Sequence, residues 1–324
     1  MSTETPPQET EPVSGFWRLV PAPSLDVVRR WGWASVVANI GIVVTGGLVR
    51  LTGSGLGCPT WPQCTDQSYV PHSALGIHGA IEFGNRMVTF LLAAVAIATF
   101  VVAWHYGRPA VLRLAFVLGL GVPAQALVGG VTVLTDLNPW VVAFHLLVSM
   151  AMVCLSVVLI HRLDEGDGPA YALVPTGVRW LARAIFVVGW LVLYVGTVVT
   201  GSGPHAGDAD APRNGLDPRA LSQLHTDFVF LMLGLTVAAV LVLRGPGMPA
   251  TARRAATTLL VVELAQGAVG FFQYFTGLPV AAVTLHLLGA GLTAAAMTWL
   301  LLAVRERQET ARSRPNSSAS AAAW

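Results

Sequence analysis

Phe144-His145-Leu146-Leu147 returns 141 residues later as Leu285-His286-Leu287-Leu288, and in both places an ionisable side chain stands inside a long apolar run. The repetition extends in both directions. Gln125 and Gly129 return as Gln266 and Gly270 at the same offset, and Thr52-Gly53-Ser54-Gly55 returns as Thr200-Gly201-Ser202-Gly203 at 148. Leu75-Gly76-Ile77-His78 is answered by Gln223-Leu224-His225 at 147. Self-similarity at a nearly fixed offset marks a duplicated half, and this duplication carries its histidines with it.

Composition sets the class. Of 324 residues, 54% are hydrophobic and 11% charged, far from the balance of a soluble domain. A bilayer core of roughly 30 Å takes about 20 apolar residues per helix. Eight stretches reach that length: 32–51, 78–103, 113–134, 140–160, 179–200, 225–243, 257–276 and 280–303. The expected fold is therefore an all-α membrane protein whose eight transmembrane helices form two tandem four-helix bundles. Four spans per half is an even number, so the halves share one orientation and a pseudo-two-fold axis along the membrane normal. The implied divisions are a tail at 1–30, an N-terminal half at 31–162, a C-terminal half at 163–304 and a second tail at 305–324. The tails, rich in Pro, Glu, Ser and Ala, read as disordered. A polar leader of about 30 residues precedes the first apolar run, so the first span is expected to target the chain in place of a cleaved signal.

Orientation follows from arginine, because the chain has no lysine. With the N-terminus inside, fifteen arginines fall on cytoplasmic segments and only Arg50, Arg86, Arg213 and Arg219 lie on the outer side. That bias obeys the positive-inside rule and places both termini in the cytoplasm, with the chain crossing the cell membrane repeatedly. No clustered basic face suggests nucleic acid.

On this topology the second, fourth, sixth and eighth helices enter from outside, and each carries one histidine. Pro71, Pro139, Pro218 and Pro279 precede His78, His145, His225 and His286 by six or seven residues. Proline suits a first helical turn, and Asp217 is placed to cap one of them. All four imidazoles are then expected roughly 10 Å below the helix starts. Ionisable groups at such depth face a bundle interior with a partner or a function. Facing histidines at one depth suit heme, whose iron takes axial imidazoles. A single such histidine reads equally well as an interhelical hydrogen bond; four in matched positions favour heme. Zinc or copper fits less well, since no cysteine or carboxylate stands beside them. His72, His105, His161 and His205 sit in loops or at helix ends and are assigned no role.

Cys58 and Cys64 flank Pro59, Trp61 and Pro62 in the first outer loop, a compartment where a disulfide persists. The alternatives are free thiols or a redox pair exchanging with a partner. Cys154 reads as a packing residue.

The run Gly47-Leu48-Val49-Arg50-Leu51-Thr52-Gly53-Ser54-Gly55-Leu56-Gly57-Cys58-Pro59-Thr60-Trp61-Pro62-Gln63-Cys64, followed by Ile81-Glu82-Phe83-Gly84-Asn85-Arg86 and the later histidines, resembles the heme A synthase family over residues 30–304. The arginine-only, alanine-rich composition is similar to that of actinobacterial members. The resemblance implies one heme site per half: His225 and His286 hold a resident heme b, and the N-terminal half receives heme O. The family oxidises the C8 methyl of heme O to a formyl group, giving heme A for cytochrome oxidase. Glu82 matches its catalytic glutamate, His145 an N-terminal ligand, and the cysteines its outer-loop pair. The resemblance also implies association with the farnesyltransferase that makes heme O and with an electron donor.

One departure stands out. The family motif Glu-x-x-His-Arg reads Glu82-Phe83-Gly84-Asn85-Arg86 here. By alignment Asn85 takes the ligand position; by repeat offset and expected depth His78 is the counterpart of His225 and is the favoured ligand. Arg50 and Arg86 are candidates for heme propionates, or for interfacial anchoring. Asp227 is expected to support His225 from behind, and Glu263 and Gln266 to bond between helices. The competing function is a diheme b-type electron carrier. Against it stands asymmetry, since Glu82 has no acidic counterpart near Val229.

Overall fold

The computed structural model describes residues 22–309. Eight helices are long and apolar enough to cross a membrane: α1 (Leu25–Leu51), α2 (Gly76–Tyr106), α3 (Pro109–Leu134), α4 (Pro139–Asp164), α5 (Thr176–Ser202), α6 (Pro218–Val242), α7 (Ala250–Phe275) and α8 (Val280–Ala303). All eight expected spans are present. Several run beyond the apolar stretch, because polar residues that suit a helix end extend them. Asp26 stands in the first turn of α1, where the helix dipole favours an acid, so α1 reaches back into the segment read as tail. Pro109, Pro139 and Pro218 occupy first turns, while the side chains of Asn138 and Asp217 accept from the backbone N–H of Trp140 and Arg219 at 3.0 and 2.8 Å. The disorder expected of the tails concerns residues 1–21 and 310–324, outside those described.

Within each half, α1 packs on α2 and α4, α2 on α3, and α3 on α4; α5 packs on α6 and α8, α6 on α7, and α7 on α8. Between halves, α1 meets α8, α4 meets α5, and α4 meets α8. Exchanging α1–α4 for α5–α8 maps this set of pairs onto itself. The largest apolar core lies between the halves, where Val36 and Ile40 of α1, Met150 and Val153 of α4, Ile185 of α5 and Met297 of α8 pack together. Lipid offers no hydrophobic drive for helix association, so close approach of small residues and interhelical hydrogen bonds hold such bundles. Accordingly, a Cβ on Gly47 would collide with Leu287 across the α1–α8 contact. Ser35 of α1 bonds Thr99 of α2 at 2.9 Å, and Asn39 reaches Ser156 of α4 at 3.3 Å.

Away from the histidine-bearing ends, a short antiparallel ribbon joins β1 (Ala170–Ala172), between the halves, to β2 (Arg305–Arg307), after α8. Residues 305–307, read from the sequence as the start of a tail, are thus paired: three residues are too few to register as a strand by alternation. An ion-pair cluster backs the ribbon. Glu165 accepts from Arg162 at 2.9 Å, with His161 at 3.3 Å and Arg307 at 3.8 Å, while Asp167 binds Arg108 at 2.9 Å and Arg162 at 2.8 Å. Burial would raise the Glu165 pKa, but hydrogen bonds from His161 and Arg162 outweigh it and hold the carboxyl down to about 2.

Candidate functional site

The C-terminal pair meets. His225, seven residues into α6, and His286, six into α8, face each other with ring centres 6.4 Å apart and planes at 71°. Two imidazoles bonded through nitrogen at about 2 Å to opposite faces of one iron have ring centres roughly 6 Å apart. The observed spacing fits that requirement and is too wide for a hydrogen bond between the rings. Glycines seat both rings: a Cβ on Gly196 of α5 would lie 3.1 Å from His225 Cε1, and one on Gly270 of α7 would lie 3.4 Å from His286 Cε1. Gln266 donates to the His286 carbonyl at 2.9 Å, fixing the turn that presents the ring.

His145 has the same setting in the N-terminal half. It lies six residues into α4, Gly129 of α3 stands 3.4 Å from its Cε1 by the same measure, and Gln125 donates to its carbonyl at 3.2 Å. Gln125 with Gly129 and Gln266 with Gly270, visible in the sequence only as repeat anchors, are the residues that seat these two histidines. The Nδ1 atoms of His145, His225 and His286 are buried without a side-chain or backbone partner within hydrogen-bond geometry. An imidazole whose Nδ1 is not committed to the protein can place its lone pair on either ring nitrogen, leaving one free for iron. Residues and group fit.

His78 does not join this set. The segment after Pro71 is loop and a single 3-10 turn, Ser73–Leu75, and the left-handed Gly76 (φ 58°) separates that turn from α2. His78 therefore stands only two residues into α2, roughly 3 Å deep, instead of the expected 10 Å. It is exposed, and its Nδ1 is 2.9 Å from Ser54 Oγ. Asn85, two turns deeper and half-buried, has a buried Oδ1 with no partner, and its Nδ2 lies 3.9 Å from where Gly46 of α1 would carry a Cβ. This echoes His225 against Gly196 of α5. The proline spacing misplaced the helix start; the Asn85 alignment did not depend on it.

Glu82 is 5% exposed and fully engaged. One carboxylate oxygen accepts from the Cys58 backbone N–H at 2.6 Å, and the other from Arg86 at 2.6 and 3.2 Å. Arg86 also donates to the carbonyls of Cys58, Thr60, Pro62 and Gln63 at 3.0 to 3.3 Å. Its donors are thus occupied by the loop, contrary to the propionate role expected of it. Arg50 likewise donates to the carbonyls of Thr200 and His205 at 2.9 and 2.6 Å, clasping the outer ends of the two halves. Cys58 and Cys64 form a disulfide with Cα atoms 4.4 Å apart, and Trp61 between them packs where Gly130 of α3 leaves room. The closed loop therefore bridges Glu82 on α2 and the residue adjoining Gly129, which seats His145.

Of the remaining acids, Glu263 accepts from Thr236 of α6 at 2.8 Å, an interhelical bond as expected. Asp227 is exposed and accepts from Gln223 at 2.8 Å, so it turns away from His225 and does not support it. Helical phase accounts for this: two residues place it about 200° around the helix from the histidine.

The model of a cytochrome oxidase assembly family, COX15-CtaA, matches residues 29–80 and 76–212, more than half of the chain. The chain belongs to that family. A protein named heme A synthase from Lysinibacillus sphaericus is 30% identical over 176 residues, which are 52% of this chain and 57% of that protein. Another of the same name from Bacillus cereus strain AH187 is 26% identical over 224 residues, 65% of this chain and 69% of its own length. The first match thus spans little more than half of that relative. The family match takes in the cysteine loop, Glu82 and His145 but ends before His225, so the C-terminal pair rests on geometry and repetition. Its eight apolar helices make this member a multi-pass membrane protein.

Proposed function

We propose that the protein is a heme A synthase, converting the C8 methyl of heme O to a formyl group. The observation that carries the reading is the facing of His225 and His286 at 6.4 Å, set beside an N-terminal half that repeats the seat of one histidine but not of the other. His225 and His286 would hold heme b, whose bound iron supplies electron transfer. His145 would anchor heme O, with Asn85 opposite, leaving that face without a second strong ligand. A half that must admit a substrate and release a product is better served by one firm ligand than by two. Glu82, on the same helical face as Asn85 and three residues before it, is assigned proton transfer at the oxidised methyl. The disulfide loop fixes the direction of its carboxylate.

The paired helix contacts support two four-helix halves, 31–162 and 163–304, related by an axis along the membrane normal. The arginine bias supports a plasma-membrane topology with both termini cytoplasmic and the histidine-bearing ends outward. The chemistry implies a farnesyltransferase supplying heme O and a redox partner. A diheme b-type electron carrier would need a second firm ligand in the N-terminal half, where Asn85 stands.

Acid-extracted heme analysed by mass tests the reading. Protein purified after co-expression with a heme O source should carry heme b together with heme O or heme A. Heme b alone in both sites would establish the electron carrier instead.

A further inference from the structure

Three arginines, Arg244 in the α6–α7 loop and Arg253 and Arg254 in the first turns of α7, converge with Thr257, Thr258 and Trp299 of α8 on a cavity of about 410 Å³. It lies at the end of the bundle opposite the histidines. Among the described residues, the ion pairs engage Arg29, Arg86, Arg108, Arg162 and Arg307 and none of these three. No acid stands in the first turn of α7, and a helix N-terminus itself carries partial positive charge. Among the described residues, three guanidinium groups and a helix start thus surround one concavity with no ion pair to balance them.

The other half shows what balance looks like. At the corresponding loop before α3, Arg108 is neutralised by Asp167 at 2.9 Å, an acid from the linker between the halves. After α8 the described chain forms β2 instead. Among the described residues the C-terminal half supplies no counter-ion at this cavity, and an external anion fits it. Its chemistry is set by the lining. Guanidinium forks and threonine hydroxyls bind phosphate oxygens, and an indole at a bundle end suits the headgroup level of a bilayer. Below the cavity, Leu241 and Val242 of α6 and Val261 and Leu264 of α7 are exposed, offering a wall for acyl chains directly beneath a phosphate.

We propose that this cavity binds the phosphate headgroup of an anionic phospholipid, in the leaflet that the arginine bias makes cytoplasmic. The assignment is independent of the heme chemistry.

The test uses full-length protein in nanodiscs of phosphatidylcholine with or without phosphatidylglycerol, with retained lipid measured by native mass spectrometry. The variants are Arg253→Gln/Arg254→Gln, and Arg113→Gln as the equivalent of Arg254 in the other half. The double variant should retain phosphatidylglycerol about 30-fold more weakly, and Arg113→Gln should match the unaltered protein. Arg244→Gln, which lies outside any helix, should cost roughly 5-fold and serves if the double variant does not fold. Equal retention by all variants would overturn the site, as would equal weakening by Arg113→Gln, which signals only general surface attraction. Inorganic phosphate is the second arm. If it displaces the lipid at millimolar concentration and protects the protein equally, the ligand is free phosphate and the lipid assignment fails.

Discussion

Glu82→Gln is the substitution on which structural and catalytic roles of the loop diverge. In the folded protein the Glu82 carboxylate accepts three hydrogen bonds while 5% exposed. Glutamine keeps one acceptor oxygen. If that oxygen faces Cys58, the new amide N–H groups oppose the Arg86 guanidinium; if it faces Arg86, they oppose the Cys58 N–H. Either arrangement leaves buried donors unmatched, at about 1–3 kcal/mol, and deprives Arg86 of its buried partner, a loss of about 3–5 kcal/mol. The substitution therefore loosens the disulfide loop whatever else it does. Activity alone cannot separate the roles, and a comparator is needed.

Arg86→Gln breaks the same ion pair at similar cost but leaves the carboxyl of residue 82 able to titrate. The assay is heme A formed per heme b retained, measured in membranes after co-expression with a heme O source. If Glu82 moves a proton at the reacting methyl, the ratio in Glu82→Gln should fall roughly 10²-fold or more below that in Arg86→Gln. Equal ratios in the two variants would refute proton transfer by Glu82 and leave it as a clip for the loop.

Three further outcomes follow from the geometry. His225→Ala or His286→Ala should abolish most low-spin b-type absorbance, since each ring supplies one face of a pair 6.4 Å apart; a retained spectrum in both would show the C-terminal site to be misassigned. Thiol labelling of native membranes should leave Cys58 and Cys64 unmodified until a reductant is added, because the two are disulfide-bonded and fully buried; labelling without reductant would contradict this. Glu165, with its folded pKa held at about 2 against an ordinary 4.5, contributes stability that is complete above pH 4.5 and is lost as pH falls toward 2. The gap in thermal midpoint between the unaltered protein and Glu165→Gln should therefore be constant near neutrality and narrow below pH 4.5, and a gap independent of acid would show that the contacts from His161 and Arg162 contribute nothing.

Helix number and order were readable because membrane spans announce themselves by length and composition, and the duplication was readable because offsets of 141 and 148 recur at separate anchors. The matched settings of His145 and His286 followed from the same repeat. What the sequence misplaced was His78. Its reading assumed that Pro71 opens a helix as Pro139 and Pro218 do, yet a 3-10 turn and the left-handed Gly76 intervene. A proline constrains its own φ but does not compel the following residues to continue the helix. The contacts of Arg50 and Arg86 were hidden for a different reason. Charge and side of the membrane are visible in a sequence, but their backbone-carbonyl acceptors, some more than 100 residues away for Arg50, are not. The seat at Gly196 left no signal at the repeat offset of 148, where Leu48 stands; the glycine that echoes it in the structure is Gly46, 150 residues earlier.

The same comparison bears on how one ancestral half can yield two unlike sites. In both halves, a glycine on the third helix and a glutamine one turn earlier seat the histidine of the fourth, with nearly equal distances: 3.4 Å from where each glycine would carry a Cβ to the ring Cε1, and 3.2 and 2.9 Å from the glutamine Nε2 atoms to the histidine carbonyls. That part of the unit is intact on both sides. The divergence that bears on the second histidine lies in the second helix of each half and the loop before it. In the C-terminal half the second helix opens directly on Pro218 and brings His225 to its partner. In the N-terminal half the loop is closed by a disulfide, packed by Trp61 onto α3 and tied by Arg86 and Glu82 to α2, and Asn85, its Oδ1 buried without a partner, is proposed to stand where a second ligand would be. An amide is a poor competitor for heme iron beside imidazole, so on the proposed reading the N-terminal half would hold its heme less firmly on one face while the rigid loop holds the surrounding helices in place. Restoring the ligand makes this testable. Asn85→His should convert the N-terminal site to a second low-spin bis-histidine heme, doubling that absorbance per protein while suppressing heme A formation. If the variant leaves the spectrum unchanged in folded protein with its heme b present, Asn85 does not face the iron and the asymmetry must lie elsewhere.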